Sequence, residues 1–272
     1  MTAAGRDTPN SGWSAGSGID ITRPNPARRY NYWLGGKDNF EVDRISGDLI
    51  AKMFPTVPTG ARENRQFMLR VGPYLARQGI RQFIDIGTGI PMELNLHQVV
   101  QGIAPKSRIV YVDNDPLVMA HARALMVSSP RGSVAYIQAD LRDPTTILSH
   151  PELRDTLDLS QPIALLAIAV LHFFDSSDKP YGCMEELIQA LPSNSYVVLT
   201  HADETNVRTG GIDSFHGPFH PRTEEQFAQF FRGLDLVEGG IASVVEWRPD
   251  DDPKPSADKS SAPVYAGVAR KP

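Results

Sequence analysis

Residues 83–91, Phe-Ile-Asp-Ile-Gly-Thr-Gly-Ile-Pro, constrain the fold more than any other stretch of the chain. Residues 83–86 read as a short buried strand, and Gly87-Thr88-Gly89 then forces a tight turn toward a helix. Glycine is needed where a backbone bends sharply or approaches a ligand closely. Two later apolar runs also lead to acids: residues 109–112 end on Asp113, and residues 134–137 are followed by Asp140. Ligands of open α/β sheets bind at such strand tips. A nucleoside fits the layout, with backbone at the glycine turn, Asp113 for the ribose hydroxyls and Asp140 for the base amine.

The turn also discriminates between cofactors. A dinucleotide fingerprint needs G-x-G-x-x-G so that a helix N-terminus can receive a pyrophosphate. Here the third position is Met92, and Asp85 stands two residues before the first glycine, where it repels a diphosphate. An acid at that place suits an ammonium or sulfonium charge. This points away from NAD and toward S-adenosyl-L-methionine, with S-adenosyl-L-homocysteine as product.

The run from Asp85 through Gly87, Thr88 and Gly89 resembles the first motif of class I S-adenosylmethionine-dependent methyltransferases. On that resemblance Asp113, with Asn114 beside it, corresponds to the ribose-binding acid. Asp140-Leu141 corresponds to the adenine-binding pair, the Leu141 backbone amide donating to the ring. Pro91 departs from the pattern, standing where many of these enzymes have a further glycine, although proline is tolerated in a first helical turn. A narrower resemblance rests on residues 27–40 (Ala-Arg-Arg-Tyr-Asn-Tyr-Trp-Leu-Gly-Gly-Lys-Asp-Asn-Phe), on Arg62-Glu63-Asn64-Arg65 and on Trp247-Arg248-Pro249. These are similar to the actinobacterial S-adenosyl methyltransferase family of undefined substrate, over roughly residues 19 to 270.

Bulk properties narrow the alternatives. The 272 residues suffice for one α/β domain with additions. A net charge of −5 offers no electrostatic reason to expect nucleic acid or an anionic membrane as partner. Cys183 is the sole cysteine, which rules out an intrachain disulfide and a cysteine-rich metal site. Residues 1–18 are rich in Gly, Ser, Thr and Ala and read as a disordered tail without a signal-peptide core. The longest apolar run, residues 163–171, is too short to span a bilayer, and a cytoplasmic protein is expected.

The chain is expected to divide into the tail, a helical cap over residues 19–78 and a Rossmann-like domain over residues 79–272. In the cap, Asn25 precedes a helix opened by Pro26 and stopped at Gly35-Gly36. Asp38-x-x-Glu41 resembles a capping box for a second helix reaching Lys52. Phe67, Val71, Tyr74 and Leu75 lie on one face of a third. Strands are then expected near residues 82–86, 108–113, 133–138, 163–170 and 196–201. Asp115-Pro116 and Asp143-Pro144 are placed to start the intervening helices. Continuous apolar strands suit a doubly wound, mainly parallel sheet covered on both faces. Thr223-x-x-Gln226 opens a late helix, and strands near 235–246 (broken at Gly239-Gly240) and 264–269 follow. The polar stretch 249–263 between them reads as exposed and mobile. The resemblance implies a seven-stranded sheet whose C-terminal hairpin is antiparallel.

Several residues remain open between chemistry and packing. Tyr30, Trp33 and Leu34 can simply dock their helix, or, as the resemblance favours, form with Tyr32 a lid excluding water from the sulfonium. Gly35, Gly36 and Lys37 would then supply donors and a cation for the methionine carboxylate, with Arg65 as a second cation. Residues 169–174 (Ala-Val-Leu-His-Phe-Phe) follow the fourth strand, where class I methyltransferases meet the transferable methyl, so Ala169 is a cofactor contact by resemblance. His172 is the first candidate base for a hydroxyl or thiol acceptor and His201 the second; a structural, hydrogen-bonded histidine is the competing reading. His216 and His220 are separated by Gly217-Pro218, which opposes a helical metal pair, and no metal is expected.

The sequence thus predicts methyl transfer to an unidentified small-molecule nucleophile. A non-catalytic module sensing S-adenosylmethionine, or less readily an NAD-dependent oxidoreductase, are the alternatives. No membrane partner is expected, and the oligomeric state is not encoded in any motif.

Overall fold

Unalternated apolar strands need cover on both faces, and the chain supplies it. A computed structural model describes residues 20–204, 218–248 and 250–272. The expected tail, residues 1–18, and His216 lie outside the described residues. Five parallel strands run through β1 (Gln82–Ile86), β2 (Arg108–Asp113), β3 (Ser133–Gln138), β4 (Ala164–Ala167) and β5 (Tyr196–Ala202). The hairpin β6 (Asp235–Ser243) and β7 (Val264–Arg270) completes a seven-stranded sheet of order β3-β2-β1-β4-β5-β7-β6, with β7 antiparallel to both neighbours.

One face carries Phe83, Tyr111, Leu166 and Val198 beneath α3 (Val57–Arg77), α4 (Leu96–Ile103) and α5 (Pro116–Leu125). The other carries Ile84, Val112, Leu165 and Val197 against α6 (Pro144–Ser149), α7 (Pro151–Thr156), α8 (Pro180–Ala190) and α9 (Glu224–Ala228). Leu165 and Leu166 point to opposite cores and are both fully buried, each burial contributing about 1.5–3 kcal/mol. This is the expected doubly wound, Rossmann-like sheet. Its order reverses beside β1, which makes the edge above β1 and β4 the switch point where such sheets bind ligands. Ile86 pairs with both Val112 and Ala167, and Asp113 with Gln138, so these strand tips share one edge.

The helices α1 (Pro26–Trp33) and α2 (Glu41–Met53) are tied to that edge. Asn25 caps α1 through Ala27 N and Arg28 N, and its Nδ2 donates to Asp115 Oδ2 at 2.7 Å. Buried Asp43 joins the two helices, accepting from Asn25 N (2.8 Å) and Phe40 N (2.9 Å) and forming an ion pair with the Arg28 guanidinium (2.9 Å). The N-cap of α2 is therefore Phe40 with Asp43 as the returning acid, and not Asp38 as the Asp-x-x-Glu spacing suggests.

Four other expectations are corrected. The glycine turn does not lead directly into a helix, because α4 begins only at Leu96. Proline disfavours helical backbone in the preceding residue, so Ile90 is buried in the core and the chain takes a longer loop before helix formation. β4 stops at Ala167, because Ala169 adopts φ +59 and donates its amide to Thr200 Oγ1 on β5 (2.8 Å). Within the expected mobile stretch, residues 250–263, though polar, are pinned to α3. Fully buried Glu63 accepts from Ser256 N (3.0 Å), and buried Arg70 donates to Pro253 O (3.0 Å) and to Val244 O. β6 continues through Gly239-Gly240 as an irregularity in register and does not break there. No helix among the described residues is long and apolar enough to cross a membrane.

Candidate active site

A cavity of about 700 Å³ opens at the switch point, within the range of small-molecule sites. Its floor is the glycine turn. Gly87 (φ +67) and Gly89 (φ +68) occupy left-handed backbone that side chains resist. A Cβ on Gly87 would also stand 2.2 Å from Val170 Cγ2. Asp113 at the tip of β2 accepts from Gly89 N (2.9 Å) and Asp115 N (3.0 Å), which locks the turn to the neighbouring strand.

The three sequence-predicted acids all line this cavity, but in different states. No hydrogen bond reaches the Asp85 carboxylate among the described residues. Burial pushes it up to about 7, against the pull of Arg65 and with a push from Asp113. Burial likewise raises Asp113 to about 6, against its backbone amides. For Asp140, burial works upward but is outweighed by Arg142, so it stays below the usual carboxylate range. Arg142 N and Nε donate to Asp140 Oδ1, each at 2.9 Å. Arg142 Nη2 and Asn114 Nδ2 donate to Oδ2, again each at 2.9 Å. Four donors fill a carboxylate's acceptor sites. The expected open acceptor for adenine is thus already engaged, and Arg142 is a rim residue that spacing did not reveal.

Thr88, Leu141, Asn114, Ala169, Arg65 and Tyr30 also line the cavity. Tyr30 hydroxyl donates to Ala61 O (2.8 Å) and accepts from Asn64 Nδ2 (3.0 Å), and burial raises its pKa. Arg65 donates to Leu94 O (3.2 Å) and holds its charge near Asp85. Tyr32, Gly35, Gly36 and Lys37 are not brought to the cavity. Tyr32 hydroxyl turns outward to Asp48 (2.7 Å), while Gly36 packs on Asn31, because α1 presents Tyr30 and Trp33 inward and places Tyr32 on the outer side.

The two histidines separate cleanly. His201 is fully buried and off the cavity lining. Its Nδ1 lies 2.9 Å from Ala202 O, which can only accept, so Nδ1 carries the proton and Nε2 receives Arg222 Nη1 at 2.7 Å. Both nitrogens are used, and burial lowers the imidazole to about 4. His201 is therefore a structural histidine and not a catalytic base. Arg222 goes on to donate to Leu171 O and Phe174 O (2.9 Å each), fixing the 3-10 turn Leu171–Phe173. That turn carries His172, which does line the cavity and has no side-chain hydrogen bond among the described residues. Burial holds its pKa well below the usual value, helped by His201 and Arg222. Among the described residues no cluster of His, Cys, Asp or Glu could hold a metal.

A family model described as S-adenosyl methyltransferase matches residues 13–272. The chain belongs to that family. The enzyme is thus a methyltransferase whose donor is S-adenosyl-L-methionine. It is similar to a DUF574 family protein from Streptomyces avermitilis, at 41% identity and TM-score 0.87, over 93% of this chain and 99% of that one. A protein from Thermobifida fusca to which methyltransferase activity is ascribed gives 35% identity and TM-score 0.79, over 93% and 96%. The plantazolicin methyltransferase BamL is 11% identical at TM-score 0.50, over 90% and 95%, a likeness of fold alone. No curated protein matches the chain.

The residues that sequence reasoning missed are Arg142, Arg222 and Phe219. No motif signals them. Asn25, read only as a cap, also reaches Asp115, ninety positions along the chain.

Proposed function

We propose that this methyltransferase acts on a small-molecule nucleophile, binding S-adenosyl-L-methionine above β1–β3 and the acceptor above β4, β5 and β7. The carrying observation is the Asp85 carboxylate, half-buried at the cavity floor without a hydrogen-bond partner among the described residues and raised to about 7. A cationic ligand head beside it supplies what the fold withholds. Asp85 would take the methionine ammonium, Arg65 the carboxylate, Asp113 the ribose hydroxyls, and Leu141 with Asp140 the adenine. Asn114, Thr88, Gly87 and Gly89 would shape the floor, Ala169 would lie at the methyl, and Tyr30 would close the cavity as part of a helical lid. A pyrophosphate finds no helix N-terminus at this turn, since α4 starts beyond Asn95.

The donor supplies a methyl on a sulfonium; the acceptor's lone pair forms the new bond as the C–S electron pair returns to sulfur and a proton leaves the acceptor. The chain's part is to align the two ligands and to exclude water. His172, kept neutral by burial, accepts a hydrogen bond from a protic acceptor but is too weak a base to ionise it beforehand. The protein would work in the cytoplasm. Calorimetry is the test: S-adenosyl-L-homocysteine binds and NAD does not. Binding of NAD with none of S-adenosyl-L-homocysteine would overturn the reading.

A further inference from the structure

The cavity is divided by charge along the sheet. The acids at its strand tips stand at β1, at β2 or beyond β3, as Asp85, Asp113 and Asp140; Asp115 lies beside Asp113, and Asp175 and Asp178 line the rim after the β4 turn, where Asp178 faces Arg142 (3.5 Å). On the side of β5 and β7 the wall is Ala202 and its paired residue Val264, with Pro218, Phe219 and Pro263. The helical wall facing it adds Trp33, Ile50, Phe54 and Val57. Gly60 lets α3 close onto this wall, since a Cβ there would meet Val264 Cγ2 at 3.3 Å.

The polar groups in the helical wall are largely committed to the protein itself. Trp33 Nε1 donates to Gly47 O (3.2 Å), and the Tyr30 hydroxyl bridges Ala61 and Asn64. Arg29 is buried, hydrogen-bonds Ser46 (3.4 Å) and lies in the field of Asp43, a second α2 residue. His172 is different. Its ring sits between Phe173 (4.4 Å between centroids) and Phe219 (5.2 Å) with no side-chain hydrogen bond.

From this partition we infer that the β5–β7 half is an acceptor pocket for an uncharged, largely apolar small molecule. The acceptor presents one protic heteroatom to His172 between the Phe173 and Phe219 rings. Apolar walls exclude water but cannot compensate a desolvated anion, so phosphorylated acceptors and nucleic acid are rejected. The inference rests on the cofactor reading above and adds the substrate class to it.

Calorimetry on the full chain saturated with S-adenosyl-L-homocysteine tests it, with 2-naphthol and 2-naphthyl phosphate as probes. Naphthol should bind, and the phosphate of the same ring at least about tenfold more weakly. Ile50→Asp should abolish naphthol binding while S-adenosyl-L-homocysteine affinity stays within about twofold. Phe54→Ala, a milder change at a half-buried position, should weaken naphthol about three- to tenfold and guards against loss of folding in the first variant. Equal or tighter binding of the phosphate, or naphthol affinity untouched in both variants, overturns the acceptor class alone. Failure of S-adenosyl-L-homocysteine to bind removes the cofactor reading and this inference with it.

Discussion

The two halves of the cavity handle polar groups in opposite ways. At the tips of β1 and β2 the half-buried carboxylate of Asp85 and the buried one of Asp113 are desolvated at an electrostatic cost, with no cation in hydrogen-bond contact. Under the helices, Tyr30, Asn64 and Trp33 are hydrogen-bonded within the protein, and behind the lining His201 and Arg222 satisfy one another. The first half is strained toward a cationic ligand. The second is a wall finished except at His172 Nδ1 and Asn64 Oδ1. The same polypeptide therefore spends stability on one ligand and pre-shapes space for another.

The contrast predicts failure at opposite ends of the pH scale. Asp85 has a folded pKa of about 7 against 3.8 in its ordinary state, so its contribution is fully present below 3.8 and is lost as pH rises through 7. Asp85→Asn removes that loss. The ligand-free variant should exceed the wild type in stability at pH 8 by up to about 4 kcal/mol, with little difference near pH 4. Urea unfolding of both proteins at the two pH values measures this. An identical gap at pH 4 and pH 8 would show that the carboxylate is not strained.

His201 works the other way. Its pKa falls from 6.5 to about 4, so its contribution is present above 6.5 and is lost as pH falls through 4, worth up to about 3 kcal/mol. Buried His172 adds to the same trend. Thermal melts between pH 7 and pH 4.5 should show acid destabilisation that is shallower in His201→Gln. An unchanged slope would place the acid sensitivity elsewhere.

The strained half is also the half the sequence makes legible. Asp85 and Asp113 lie at the ends of their strands and Gly87, Gly89 and Asp140 follow within a few residues, so strand periodicity alone carries them to one edge of the sheet. The finished half is assembled over long separations. Asn25 with Asp115, Glu63 with Ser256 and Arg222 with His201 are tertiary pairs that no local spacing encodes. The same limit explains the misplacement of Tyr32 and Lys37: helical period defines a face of α1 but not which face meets the cavity. The sheet was readable because both of its faces are buried, whereas the helix after Gly89 was not, since Pro91 delays it.

Asp113 tests that legible half at smaller scale. Asp113→Ala deletes an acid that the strand pattern assigns to the ribose and that also holds Gly89 N. S-adenosyl-L-homocysteine binding should weaken by about 1–3 kcal/mol, as expected for hydrogen bonds to a charged group. Calorimetry at pH 8, with circular dichroism as a check on folding, reads it directly. Unaltered affinity would detach Asp113 from the ligand and leave it a purely structural tie between β2 and the glycine turn.

Arg142 gives the smallest effect and separates the two styles most finely, because it brings the satisfied style into the strained half. Its guanidinium is half exposed yet occupies both oxygens of Asp140, so an adenine amine must displace one of its bonds. An exposed ion pair of this kind is worth about 0.2–1 kcal/mol. Arg142→Ala frees acceptor sites on Asp140 and should tighten S-adenosyl-L-homocysteine by about that amount, severalfold at most. The gain should be absent with an inosine analogue, whose base lacks the exocyclic amine. Weaker binding of both nucleosides in the variant would mean that Arg142 contacts the ligand itself, and the boundary between the two halves would then lie beyond Asp140.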